Sequence, residues 1–295
     1  MASRSTEELD RKIANAARQL EVIVEQYNDS REDLHTTQAQ QRSLGARLTP
    51  MAAELNQRQA LIGGLVNRTY QRTRSGPTVA LFGSDSPHQF VDKLLVLNQL
   101  AVEQQRAVAE LREARTKLDT TRHTLALLAV QQRRQQARLS TRKALVEGQM
   151  AALRQMRMVA YGGGSRYGDA EDYPAPPYVP GPAGRVVEFA FAQLGKPYRW
   201  GAAGPGSYDC SGLTSAAWRA AGVLLPHNAA RQYDSIAHLS RAELHPGDLV
   251  FFYGRISHVG VYIGNGKMIH APEYGEKVRV ASIDSQPIHG FGRPR

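Results

Sequence analysis

The sequence contains a single cysteine, Cys210, among its 295 residues. One cysteine cannot form an intramolecular disulfide, and it excludes zinc or iron–sulfur sites built from several cysteines. The sequence also lacks an apolar run of about 18 residues, the length that a transmembrane helix needs, so we expect no membrane span. These shortages leave one thiol, which is either a small buried side chain or a reactive group.

Aromatic residues are scarce as well, and their distribution divides the chain. The first 160 residues hold only four of the 21 aromatic residues. Residues 161–182 are rich first in glycine and then in proline, a composition typical of a linker that cannot bury a core. We therefore expect a helical region over residues 1–160, the linker over 161–182 and a second domain over 183–295.

Apolar residues in the first region recur at alternating steps of four and three, from Leu9 to Leu65 and again from Phe90 to Leu153. This spacing predicts the seam of a left-handed coiled coil. A short segment with the helix-breaking pair Gly76-Pro77 separates the two runs, and a second helix is expected to start near Pro87. The sequence therefore predicts a long antiparallel α-helical coiled-coil hairpin.

The formal net charge of +10 raises the question of an anionic partner. Nucleic acid is a poor fit, because the arginines of the hairpin are dispersed and no aromatic stacking platform accompanies them. Two interpretations stay open: a solvated structural rod, or a docking and regulatory arm that folds back on the second domain.

The second domain carries the reactive chemistry. Asp209 is a good N-cap, which makes Cys210 the first residue of a helix, where the helix dipole and free backbone N–H groups stabilise a thiolate. A thiolate nucleophile needs a base. His258 and His270 lie in alternating apolar sequence around an Asn-Gly turn, whereas His227, His238 and His245 lie in turn-like segments and are interpreted as bystanders. A zinc site would need a further ligand.

The register of this hairpin decides whether the two histidines can act together. A three-residue loop over 264–266, with Ile263 opposite Lys267, places His258 and His270 on the same face of the sheet. We therefore expect a bulged turn with Gly266 in the left-handed region.

Four motifs in order, GKPYRWG, YDCSGL, HPGDLVFF and HVGVYIGNGKMIHA, resemble the NlpC/P60 family of papain-like cysteine peptidases. The resemblance covers about residues 183–295 and implies an α+β papain-like fold. It implies Cys210 as nucleophile, His258 as general base and His270 as the residue that orients it. It also implies a substrate-binding role for Tyr198, Asp209 and Ser211.

The family resemblance implies hydrolysis of peptidoglycan stem peptides, usually at the bond between γ-D-glutamate and a diamino acid such as meso-diaminopimelate, with no metal or organic cofactor. The added heptads resemble division-associated hydrolases that a membrane complex of the FtsEX type controls through the coiled coil. Relatives often carry arginine where this sequence has His227, which bears on substrate preference.

Two rival functions stay open: an amidase or acyltransferase on the same scaffold, and a non-catalytic coiled-coil scaffold. We expect an envelope or secreted protein involved in cell-wall remodelling or cell separation, because the substrate lies outside the cytoplasm. The first residues show no apolar leader.

Overall fold

The computed structural model describes residues 2–73, 87–161 and 176–295. Residues 74–86, the predicted connector of the hairpin, and residues 162–175, most of the predicted linker, lie outside the described residues. The chain forms two compact units. One consists of residues 36–134, and the other combines residues 1–35 with residues 135–295.

Two long helices, α1 (Ala2–Thr73) and α2 (Pro87–Tyr161), contribute to both units. In the unit of residues 36–134, Gln131 donates to Thr37, and Arg58 donates to Glu110 at 2.6 Å. From the first contact to the second, the residue number rises in α1 and falls by the same amount in α2. The helices therefore pair antiparallel, as predicted. The second helix begins at Pro87, where the sequence placed its start.

In the other unit, the ends of the same helices pack together through apolar residues. Ile13, Leu20 and Val24 of α1 are buried with Val146 and Leu153 of α2. A further set of α1 residues, offset around the helix from this seam, is also buried. That set contains Glu21, Glu25 and Asn28, so α1 has a second covered face in this unit.

Residues 176–295 form an α+β fold with three short helices and one sheet. The helices are α3 (Gly181–Phe191), α4 (Cys210–Ala220) and α5 (Ala229–Asp234). The strands are all antiparallel, in the order β1-β6-β2-β3-β4-β5. Their bounds are β1 Ala237–Leu239, β2 Leu249–Phe252, β3 His258–Gly264, β4 Lys267–His270, β5 Arg279–Ser282 and β6 Ile288–Arg293.

The main core lies between α4 and the sheet. Leu213 and Ala217 of α4 are buried in one cluster with Val259, Val261 and Ile269, which are the inward residues of the alternating β3 and β4 sequences. Because this packing holds α4 against β3, the first residue of α4 and the first residue of β3 face a common cleft.

The β3–β4 hairpin differs from the expected loop. Val261 pairs with Ile269 in the predicted register, but Gly264 rather than Ile263 pairs with Lys267, with a bulge at Ile263. The loop therefore has two residues, Asn265 and Gly266, both at positive φ (53° and 68°). The three-residue loop was wrong because Asn-Gly suits a two-residue turn, while the bulge in β3 supplies the extra residue that the register needs. Gly266 lies in the left-handed region as expected.

Candidate active site

The thiol of Cys210 lies at the N-terminus of α4, as the sequence predicts. Asp209 is the N-cap, and its Oδ1 accepts a hydrogen bond of 2.7 Å from the Gly212 N–H. Gly212 is required for this arrangement, because a Cβ there would lie 2.1 Å from the Ala202 carbonyl oxygen. The helix start therefore brings Asp209, Cys210 and Ser211 to one point of the cleft.

His258 and His270 come together on the same face of the sheet. His258 Nε2 lies 2.7 Å from His270 Nδ1, and both side chains are fully buried. Gly260 leaves room for this pair, since a Cβ there would lie 2.7 Å from Met268 Sδ and 3.3 Å from His270 Cβ. Burial, with His258 and Arg279 nearby, holds the pKa of His270 well below its usual range, so His270 is neutral and can accept a hydrogen bond.

The Cys210 thiol contacts the strand that begins with His258. Its Sγ lies 3.9 Å from the carbonyl oxygen of Ser257 and 3.8 Å from Glu25 Oε1, both potential acceptors for the thiol proton. Ser257 directly precedes His258, so the nucleophile candidate lies beside the histidine pair. Glu25, however, comes from α1 rather than from the domain that carries the thiol and the histidines.

Glu25 occupies a pocket beside the thiol. Its Oε1 accepts from the Ser211 hydroxyl at 2.7 Å, and its Oε2 accepts from the Ala229 N–H at 2.6 Å. Asn228 Nδ2 donates to the Glu25 carbonyl oxygen at 2.9 Å. Each carboxylate oxygen thus has a donor, which is how a buried acid is accommodated, and Asn228 holds the helix backbone beside it.

Two more α1 residues contact the sequence-predicted site residues. Glu21 Oε1 lies 2.7 Å from His258 Nδ1, at ion-pair distance but outside hydrogen-bond geometry. Asn28 Nδ2 donates to Asp209 Oδ2 at 3.1 Å. Steps of four and three residues place Glu21, Glu25 and Asn28 on one helix face. This face covers the site, and Cys210 is only 1% exposed.

The covering helix also changes the ionisation of the site. Burial, Glu25, Asp209 and Glu21 together raise the pKa of Cys210 well above its usual value, so the thiol stays protonated. Burial and the neighbouring Asp209 raise the pKa of Glu25 to about 7. The expectation of a dipole-stabilised thiolate therefore does not describe this state, because nearby acids and burial outweigh the helix N-terminus.

His227 is not a bystander, which corrects the sequence interpretation. It is buried, with Nε2 2.7 Å from Asp209 Oδ1, while Arg31 of α1 donates to its Nδ1 at 2.8 Å. Burial alone raises the pKa of Asp209, but His227 and the hydrogen bonds from Asn28 and Gly212 hold it below its usual value. His227 thus keeps Asp209 ionised beside the thiol.

Tyr198 is also buried at the site. Burial raises the pKa of its hydroxyl well above the usual value, with contributions from Asp209 and Cys210. Its N–H donates to the Glu276 carbonyl oxygen at 2.8 Å, which ties it to the loop after β4.

The end of α2 contacts that same loop. Arg157 is buried and forms ion pairs with Glu276 and, at 3.4 Å, with Glu273. On the α1 side, the Tyr27 ring meets Trp200 edge-on, with centroids 5.0 Å apart. Both long helices therefore contact the second domain near the cleft through side chains that the sequence analysis did not single out.

The described ranges contain no group of three or more histidine, cysteine or acidic side chains arranged to hold a metal ion. Across the same ranges, none of the helices combines the length and apolar character needed to span a bilayer.

A buried thiol at a helix N-terminus beside a histidine pair is the arrangement of a thiol hydrolase. The comparison with known families agrees, because residues 195–290 match the model of the NlpC/P60 family. The C-terminal part of the chain is therefore an NlpC/P60 domain.

Named relatives match a little over a third of the chain. A protein of Mycobacterium tuberculosis named probable endopeptidase is 44% identical over 113 residues, 37% of this chain and 28% of that protein. The probable endopeptidase p60 of Listeria grayi is 50% identical over 101 residues, 34% of this chain and 18% of that protein. The solved peptidoglycan hydrolase RipB of M. tuberculosis is 32% identical, with a TM-score of 0.35, over 38% of this chain and 64% of that one. The match thus spans less than a third of each curated relative.

Proposed function

We propose that the chain is a cysteine endopeptidase that hydrolyses peptidoglycan stem peptides, with Cys210, His258 and His270 as its catalytic residues. The observation that carries this proposal is the placement of the only thiol at the N-terminus of α4, beside the buried His258–His270 pair. The match of residues 195–290 to NlpC/P60 supports the substrate class.

The reaction is acyl transfer to water. His258 Nε2–H donates to neutral His270, which leaves the Nδ1 lone pair of His258 to take the Cys210 proton. The sulfur bonds to the scissile carbonyl carbon, with the Cys210 N–H and the Tyr198 hydroxyl as donors to the oxyanion. His258 gives its proton to the leaving nitrogen as the C–N bond breaks. Water, deprotonated by His258, then attacks the thioester, and the proton returns to the departing sulfur.

The contacts of Glu25 support cleavage after γ-D-glutamate. A free carboxylate fits between the Ser211 hydroxyl and the Ala229 N–H, directly beside the thiol. A γ-linked glutamate carries such a free carboxylate on its α-carbon. Asp209, which now accepts from Asn28, offers an acceptor to an N–H donor of the same stem peptide. We infer the γ-D-glutamyl–diaminopimelate bond as the target.

The described arrangement is a closed state in this proposal. Glu25 fills the position of the substrate, Glu21 meets the nitrogen of His258 that must accept the thiol proton, and the thiol is held protonated. Activity therefore requires α1 to leave the cleft. Displacement by a division-site membrane complex of the FtsEX type, a role in cell separation and an envelope or secreted location stay predictions.

Cleavage products separate this function from its rivals. Purified peptidoglycan is incubated with the full chain and with its Glu25→Trp variant, and new termini are identified by mass spectrometry. A new γ-glutamyl carboxyl and a new diamino-acid amine support the endopeptidase. Release at the glycan–peptide amide would indicate the amidase, and no product from either chain would favour the non-catalytic scaffold.

The catalytic assignment has its own test. Cys210→Ala in the Glu25→Trp chain is expected to abolish cleavage, and His258→Ala to be about as damaging, because the members of such a unit act together. His270→Ala is expected to be milder, since water can partly orient the base. Retention of more than a few per cent of activity by Cys210→Ala would contradict the assignment.

A further inference from the structure

The α1 helix carries two further acids that form ion pairs with one arginine of residues 176–295, here called the catalytic domain. Arg231 Nε donates to Asp29 at 2.7 Å, and Arg231 Nη2 donates to Asp33 at 2.5 Å. Within the described ranges, neither ion pair of Arg231 involves an acid outside α1. Once α1 leaves, this guanidinium loses both of its carboxylate partners.

A cavity of about 590 Å³ lies beside these contacts. Glu25 and Asp29 line it from α1, while Arg231, Arg255 and Ser257 line it from the catalytic domain. Two of the lining residues, Glu25 and Ser257, are also contacts of the Cys210 thiol, so the cavity lies next to the residues that surround the nucleophile. Its size suits a small-molecule group.

The charges of the cavity favour an anion after α1 departs. Glu25 and Asp29 leave with the helix, whereas Arg231 and Arg255 stay. Asp234 is the one acid of the catalytic domain among the lining residues. A guanidinium with its partners removed is suited to bind a carboxylate through two parallel hydrogen bonds.

Two carboxylates of α1 lie close together in the closed state, Glu25 beside the Cys210 thiol and Asp29 on Arg231. Glu25 and Asp29 are one turn apart, about 6 Å along the helix axis. In the proposed substrate the first carboxylate belongs to γ-D-glutamate and the second to the diamino acid that leaves. We propose that Arg231 is a specificity-determining residue that binds the side-chain carboxylate of this diamino acid, and that Asp29 takes its place in the closed state. This inference rests on the proposed function.

With this role, Arg231 distinguishes two substrates that differ only in whether the diamino acid side chain ends in a carboxylate or in an amide. A carboxylate binds Arg231 through charge-assisted hydrogen bonds, whereas the corresponding amide offers one neutral oxygen and places N–H donors against the guanidinium. Because the hydrogen bonds and ion pairs of the Arg231 side chain all run to α1 within the described residues, Arg231→Ala removes no such bond inside the catalytic domain.

The test compares two synthetic stem tetrapeptides that differ only in the diaminopimelate side chain, which ends in a free carboxylate or in its amide. Cleavage is measured with the full chain and with Glu25→Trp, each carrying Arg231, Arg231→Ala or Arg231→Lys. Arg219→Ala, an exposed arginine on α4, is the matched control. The ratio of kcat/KM for the two peptides does not depend on how many molecules have α1 out of the cleft. Both peptides are cleaved by the same molecules, those in which α1 has left.

We expect Arg231 chains to prefer the free acid about tenfold or more, mainly through KM. Arg231→Ala should bring the ratio to within about twofold, Arg231→Lys should keep part of it, and Arg219→Ala should leave it unchanged. An unchanged ratio in Arg231→Ala, or equal cleavage of both peptides by the Arg231 chains, would overturn the proposal. If no chain cleaves either peptide, the proposed function fails, and the subsite fails with it.

Discussion

Two stretches of the same helix behave differently. In residues 13–35 of α1, Glu21 and Glu25 are only 6% and 5% exposed and contact His258, Ser211 and the Cys210 thiol. In residues 36–73, by contrast, Glu54 has a side chain that is 54% exposed and pairs with Arg58 at the surface. Both stretches carry the same heptad spacing.

The difference lies in what it costs to bury each acid. A buried acid loses hydration and is retained only where donors compensate it, whereas an exposed ion pair contributes about 0–1 kcal/mol. The pKa of about 7 for Glu25 records that penalty. We infer that residues 13–35 are an inhibitory segment.

The largest expected effect comes from a tryptophan placed in the first stretch, with a tryptophan in the second stretch as its control. Glu25→Trp puts an indole where a carboxylate now fits between Ser211 and Ala229, so α1 cannot close and cleavage of peptidoglycan should rise about a hundredfold. Glu54→Trp, at an exposed position of the same helix, should leave the rate within about twofold. Equal rates for the two variants would remove the functional distinction between the stretches.

A smaller effect is expected at the end of α2. Arg157→Ala leaves Glu276 buried with a lost ion pair, which weakens closure and should raise activity by about tenfold. Arg154→Ala, exposed one turn earlier, is the matched control. Activity is measured on the same substrate, with circular dichroism to check that both chains fold. A decrease in activity with Arg157→Ala would mean that this pair supports the active site rather than closure.

The pH dependence isolates Glu25 itself. Its pKa is about 7 in the closed state against an ordinary 4.5, so the closed state binds a proton more tightly and low pH favours closure. Between pH 6 and 8 the equilibrium constant for the departure of α1 from the cleft should rise about tenfold. Glu25→Gln resembles the protonated form and should stay closed.

The ratio of wild-type to Glu25→Gln activity measures this effect, because α1 has left the cleft in the active state of both chains and the open site is then the same in each. The ratio is expected to rise about tenfold from pH 6 to 8. A ratio that is flat with pH would show that the Glu25 proton does not govern closure.

Local sequence signals predicted much of the catalytic region. The N-cap at Asp209 and the alternating pattern of β3 and β4 placed Cys210, His258 and His270 correctly relative to their elements. The loop length was wrong, because two devices, a three-residue loop and a two-residue loop with a bulge, give the same register.

The covering residues could not be predicted from the same signals. Glu21, Glu25 and Asn28 look like the solvated side of a heptad repeat, and burial depends on a surface that is distant in sequence. His227 was assigned from its turn-like neighbours, whereas its role comes from Asp209. A signal was present in the four-residue recurrence of acids at Glu21, Glu25, Asp29 and Asp33, which is unusual only when set against a basic chain.

The most direct test of closure needs no substrate. Cys210 is the only cysteine, so iodoacetamide labelling followed by intact mass measures the reactivity of this one thiol. At one fixed pH, wild type and Glu54→Trp should label at least about a hundredfold more slowly than Glu25→Trp, because α1 both buries the thiol and raises its pKa. If wild type labels as fast as Glu25→Trp, residues 13–35 do not cover the nucleophile in solution, and the closed state is contradicted.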